Sequence, residues 1–80
     1  MPTHQQPDPE LVALGRAIGR LRKQRAMSTG ELARATGIAA SRLGALEAGE
    51  VDPTYDVLLA LADGLGVPLE EFVRLARQLR

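Results

Sequence analysis

The chain has 80 residues, 45% of them hydrophobic, and its ten Lys and Arg balance ten Asp and Glu to a formal net charge of zero. A domain of this size buries only about 60% of the surface its unfolded chain exposes, and with one Tyr, one Phe and no Trp the small core must be built from Leu, Ile, Val and Ala. The absence of cysteine excludes disulfides and thiolate metal sites, and with no charged leader or long apolar span a soluble cytoplasmic protein is expected.

Residues 1–7 are polar, hold two prolines and show no apolar period, which predicts a flexible N-terminal arm ahead of a domain spanning residues 8–80. His4 lies in that arm with no second ligand at a useful spacing, so no metal site is assigned. Asp8-Pro9-Glu10 combines a capping carboxylate, a first-turn proline and an acid at the positive end of the helix dipole. The first helix should run from there to about Arg25, with Leu11, Leu14, Ile18 and Leu21 on one face and Arg16, Arg20, Lys23 and Arg25 mainly off it. Met27 closes the following turn.

Ser28-Thr29-Gly30-Glu31 is a capping box that opens a short second helix ending at Thr36, where Gly37 can take a positive φ. Ile38 anchors the next turn, and residues 41–48 form a third helix with Leu43 and Leu46 inward, stopped by Gly49. Thr54 caps a fourth helix whose inward positions are Tyr55, Leu58, Leu61, Ala62 and Leu65. After Gly66, Val67 and Pro68 a fifth helix runs from Leu69 to about Leu79, with Leu69, Phe72, Val73, Ala76 and Leu79 as its stripe. Five short helices without a strand pattern predict an all-α bundle.

The pair of helices 28–36 and 41–48, joined through Gly37, reads as a helix-turn-helix. In such a pair the first helix lies across the sugar-phosphate backbone so that the second can enter a major groove about 12 Å wide and reach base edges. Ala33, Gly37, Ile38 and Leu43 form the small-residue elbow between them. Gly15 and Gly19, four residues apart in a charged helix, read as a close approach by a neighbouring helix.

Several motifs in register carry a family resemblance. They are Leu14-Gly15, Ile18, Leu21 and Arg22; Met27-Ser28, Glu31-Leu32-Ala33 and Gly37-Ile38; Leu43, Leu46-Glu47, Gly49 and Pro53; and Leu58, Leu61-Ala62 and Leu65-Gly66-Val67-Pro68. From about Leu14 to Phe72 the chain resembles the phage-repressor and Cro-like helix-turn-helix domains, also called XRE-type. The resemblance implies a five-helix repressor-like bundle, a homodimer on pseudo-palindromic operator DNA, and base reading by the third helix. It also implies a structural ion pair between Arg22 and Glu47. By the same resemblance the DNA-binding positions are Ser28 and Thr29 at the second helix and Ala39, Ala40, Ser41, Arg42 and Ala45 at the third.

Those positions depart from the family pattern, which usually places Gln at the start of the second helix and longer polar side chains along the third. Here only Arg42 has the bidentate geometry that recognises guanine; Ser41 can bond a base or a phosphate, and Ala40 or Ala45 can meet a thymine methyl. Ala39 supplies no hydroxyl cap, and Gly44 weakens the helix further. From Ser28 to Asp56 the cations are Arg34 and Arg42 and the anions Glu31, Glu47, Glu50, Asp52 and Asp56, so a shallow salt dependence of DNA binding is expected. Helix amino termini, or Arg16, Arg20 and Lys23, can restore phosphate contacts; the three cations read equally as a solvated face, the favoured reading for Arg20 and Lys23.

The fifth helix can close the bundle, pair with a second copy through Phe72, Val73, Leu75, Ala76 and Leu79, or do both, with Leu75 and Leu79 the better dimer candidates. Arg74, Arg77, Gln78 and Arg80 would rim that contact. The expected function is a sequence-specific, duplex DNA-binding transcriptional regulator, acting as a dimeric repressor. The alternative is a protein-interaction module on the same fold, motivated by the alanine-rich third helix and by Glu50 and Asp52. With one tail His, no Gly-rich phosphate loop and no convergent carboxylates, neither an enzyme nor a cofactor is expected.

Overall fold

In the computed structural model, which describes residues 8–80, five helices follow one another: α1 (Pro9–Gln24), α2 (Thr29–Thr36), α3 (Ala40–Glu47), α4 (Tyr55–Leu65) and α5 (Leu69–Gln78). The expected N-terminal arm and His4 lie outside the described residues. Local chemistry sets most of the helix starts. The Asp8 carboxylate accepts the Glu10 N–H at 2.8 Å, and the Thr54 hydroxyl accepts the Val57 N–H at 3.3 Å. At α2 both arms of the capping box are made: the Glu31 N–H donates to Ser28 Oγ at 3.0 Å and the Ser28 N–H to Glu31 Oε1 at 2.7 Å. α3 starts at Ala40, one residue earlier than the sequence pattern suggests, and Ala39 ahead of it offers no side-chain bond to the exposed amides.

Turn geometry then fixes how α2 and α3 meet. Gly37 ends α2 in the left-handed conformation, φ 74°, and donates its N–H to Ala33. The Thr36 hydroxyl donates to the Leu32 carbonyl at 2.8 Å and accepts the Ile38 N–H at 3.2 Å, tying the elbow on both sides. The turn between α1 and α2 passes through Ala26 at φ 53°, a conformation that costs a residue with a Cβ about 1–2 kcal/mol.

The core gathers residues from every helix: Ala17, Ile18 and Leu21 of α1, Leu32 of α2, Leu43 and Leu46 of α3, Leu61, Ala62 and Leu65 of α4, and Phe72 of α5, with Ile38 from the elbow. Phe72 is 0% exposed. The expectation that it contributes to a dimer contact is therefore corrected: its ring is consumed by the bundle, and no part of it can reach a second copy. Tyr55, expected inward, is 65% exposed. It occupies the first turn of α4, ahead of the buried row Leu61, Ala62 and Leu65, and keeps most of its surface open. Among the described residues, no helix is long and apolar enough to cross a membrane.

Candidate nucleic-acid interface

The back of α3 is held by its crossing with α1. Gly15 makes that crossing close, since a Cβ at this position would stand 2.3 Å from the Glu47 carbonyl oxygen and 2.6 Å from that of Leu46. Those atoms are backbone and cannot swing aside, so the residue must lack a side chain. Beyond α3, Gly49 at φ 74° brings the chain against α1, where a Cβ would come within 2.9 Å of Val12 Cα. Two glycines thus let α1 pass over the end of α3 on both sides of Glu47.

Arg22 locks the same junction. Its Nε donates to Glu47 Oε2 at 2.7 Å and its Nη2 to Glu47 Oε1 at 3.1 Å, a bidentate fork. Its Nη1 donates to the Met27 carbonyl at 3.0 Å, just ahead of the α2 capping box. One guanidinium therefore ties α1 to the end of α3 and to the entry of α2. The side chains are 14% and 19% exposed, so most of the water that would screen the pair is excluded. The hydrogen bonds to Glu47 raise the Arg22 pKa, burial lowers it, and the charge of Glu47 raises it again, so the guanidinium stays charged.

The front of α3 is bare by contrast. Ala39, Ala40, Ser41, Arg42 and Gly44 are exposed and Ala45 is half-buried, while Leu43 and Leu46 turn into the core. Ser28 is exposed and Thr29 half-buried at the start of α2. The Ser28 oxygen accepts the Glu31 amide, and its O–H faces the Glu31 carboxylate. Glu31, whose carboxylate accepts the Ser28 amide and hydroxyl, is held below its ordinary pKa by those bonds. At α5, Val73, Leu75, Ala76 and Leu79 are half-buried, so each keeps some surface for a second chain.

Sequence reasoning missed part of the apolar surface. Tyr55 and Leu59, the latter 40% exposed, border a groove of about 650 Å³ with Leu69, Val73, Arg74 and Arg77. The spacing of Tyr55 and Leu59, four apart on α4, was the available signal, since it places both on one helix face.

A family model described as a helix-turn-helix domain matches residues 13–75. A curated relative, the HTH-type transcriptional regulator SutR of Escherichia coli, is 40% identical over 60 residues; the match covers 75% of this chain, which spans 34% of that regulator's length. Among solved structures, the restriction-modification controller protein C.AhdI from Aeromonas hydrophila superposes with a TM-score of 0.79 at 28% identity, over 81% of this chain and 98% of that one. The clp gene regulator ClgR from C. glutamicum superposes with a TM-score of 0.82 at 25% identity, over 91% of this chain and 94% of that one. The order of five helices, the elbow through Gly37 and this match along most of its length place the chain in the helix-turn-helix domain family, of the phage-repressor and Cro-like XRE type.

Proposed function

We infer that the domain binds duplex DNA in a sequence-specific way as part of a transcriptional regulator, with α3 seated in the major groove. The observation that carries this reading is the division of α3 into a back anchored by Gly15 and the Arg22–Glu47 pair and a front that is exposed from Ala39 to Arg42. An eight-residue helix is about 12 Å long, short enough to lie within one groove. Arg42 reads guanine through paired N–H donors, Ser41 bonds a base or phosphate, and Ala40 and Ala45 leave room for thymine methyls. The Thr29 hydroxyl holds the neighbouring backbone, joined by the Ser28 hydroxyl where it turns from Glu31 to a phosphate. The relatives named as gene regulators support the same reading.

The regulator acts as a homodimer whose contact centres on Val73 with the exposed Tyr55 and Leu59, and draws on the half-buried Leu75 and Ala76. Two copies then present two α3 helices to half-sites about one helical turn apart. Bound over a promoter, such a dimer represses by excluding the polymerase.

Selection from random duplexes, read by sequencing, tests the reading directly. A recovered pseudo-palindrome with guanine opposite Arg42 is the expected result. A second reading, a protein-interaction module, draws on the scarcity of long polar side chains on the α3 front. Complete absence of binding to mixed duplex at low salt would favour it and end the DNA reading.

A further inference from the structure

The α3 front carries one cation, Arg42, and the loop behind it is acidic through Glu50 and Asp52, yet half of the ten cations of the chain, Arg16, Arg20, Arg22, Lys23 and Arg25, fall between residues 16 and 25. Arg22 is committed to Glu47. Arg16, Arg20 and Lys23 are exposed and make no ion pair among the described residues, where the pairs are Arg22–Glu47 and Arg80–Glu10. Their spacing of four and three places them on one helix face, where like charges repel. An anion beside such a row would relieve that repulsion, which water alone only screens.

The row borders a groove. Arg16, Arg20 and Lys23 line a cleft of about 670 Å³, together with Gly15, Gly19, Gln24, Glu47 and Leu79. Gly15 and Gly19 leave its floor without side chains, and both Glu47 oxygens there accept from Arg22, which offsets the one negative charge in the cleft. The cleft runs from Lys23 and Gln24 at the carboxyl end of α1 to Glu47 at the carboxyl end of α3. It thus follows α1 past the anchored, carboxyl end of the reading helix, over about 10 Å from Arg16 to Lys23.

We propose that Arg16, Arg20 and Lys23 form a phosphate-binding stripe that holds the sugar-phosphate backbone of duplex DNA along α1 while α3 reads the groove. The stripe adds to the single cation of the reading face, Arg42, and makes the salt dependence steeper than the shallow one expected from residues 28–56 alone. It rests on the DNA-binding reading above and deepens it by naming the phosphate contacts. Because phosphate contacts carry no base information, the stripe contributes equally to every sequence, in contrast to Arg42.

The test measures duplex binding by the full chain across about 50–200 mM salt, for the wild type and for the combined Arg16→Gln, Arg20→Gln, Lys23→Gln variant. The slope of log affinity against log salt is expected to fall in magnitude by about 0.9 for each phosphate no longer neutralised, about 2.7 per protomer. Affinity for selected and mixed-sequence duplex should fall by the same factor. Arg20→Gln alone should remove about 0.9, which keeps the test decisive if a melting curve shows the triple variant to be unfolded. A wild type that binds DNA while the variants keep its slope overturns the stripe and leaves the DNA reading standing; an acidic protein partner on α1 would give that result. A wild type that binds no duplex at low salt overturns both.

Discussion

The two sides of α3 are built on opposite principles. Its back is over-determined: a glycine under a backbone carbonyl, a bidentate ion pair and a left-handed glycine all fix one geometry against α1. Its front carries one long polar side chain, an uncapped start and a glycine with nothing within 4 Å of its missing Cβ. The difference teaches that rigidity and recognition are assigned to separate residues, so each can be altered without the other. In the proposed function, base edges would be met by a poorly self-stabilised helix that stays in place because its neighbour holds it.

The largest effect should come from the crossing itself. Gly15→Ala forces a Cβ into the Glu47 carbonyl, and we expect a loss of about 3 kcal/mol in urea unfolding, the upper end for overpacking against atoms that cannot move aside. A near-neutral result would mean that α1 and α3 are not in close contact. Next comes the ion pair. Glu47→Leu strands a charged Arg22, with an expected cost of about 2–3 kcal/mol after allowance for its partial exposure, and adding Arg22→Met should recover most of it. If the two single losses simply add, the pair is not coupled.

On the front, Arg42→Ala should lower discrimination at one base pair by about 1–3 kcal/mol while leaving the melting temperature unchanged. A variant that selects the same operator would remove Arg42 from the reading role. Smaller still, Gly44→Ala should stabilise the fold by up to about 1 kcal/mol, and Ala39→Ser by about 0.5–1 kcal/mol through the missing cap. Chemical denaturation of either variant checks this, and destabilisation by Gly44→Ala would show that the front is not free space.

The smallest effect is one of pH. Glu31 is held below its ordinary pKa by the Ser28 amide and hydroxyl, so its contribution is present above the unfolded carboxyl value and is lost as pH falls through the folded one. The melting-temperature gap between wild type and Glu31→Ala should therefore be full at neutral pH and close in the acid range. A gap that stays constant down to strongly acidic pH would separate the capping box from the carboxylate charge.

These residues also show how far sequence reasoning reached. Caps and turn glycines are local: Asp8, Ser28, Glu31, Thr54 and Gly37 act within four residues of their own position, and each is found where its chemistry suggests. Periodicity likewise reached Leu43 and Leu46 of α3 and Ile18 and Leu21 of α1, but it also placed inward Leu11 and Leu14, which are half-buried, and passed over the buried Ala13 and Ala17. Tyr55 shows the limit, because a period assigns a residue to a face but cannot say whether another helix covers that turn. Phe72 shows the converse: an apolar stripe on α5 reads identically whether it meets the core or a second chain, and only the packed bundle divides buried Phe72 from half-buried Val73 and Leu75.

By itself, then, the order of residues determined five helices, the capped starts of α1, α2 and α4 and the elbow between α2 and α3, since these arise from bonds spanning a few residues. Tertiary structure alone decided the clash distance at Gly15, the three-way reach of Arg22, the open side of Tyr55 and the meeting of Arg16, Arg20 and Lys23 with the end of α3 in one cleft. Those properties join positions up to thirty-odd residues apart along the chain, and their distances exist only once the helices have packed.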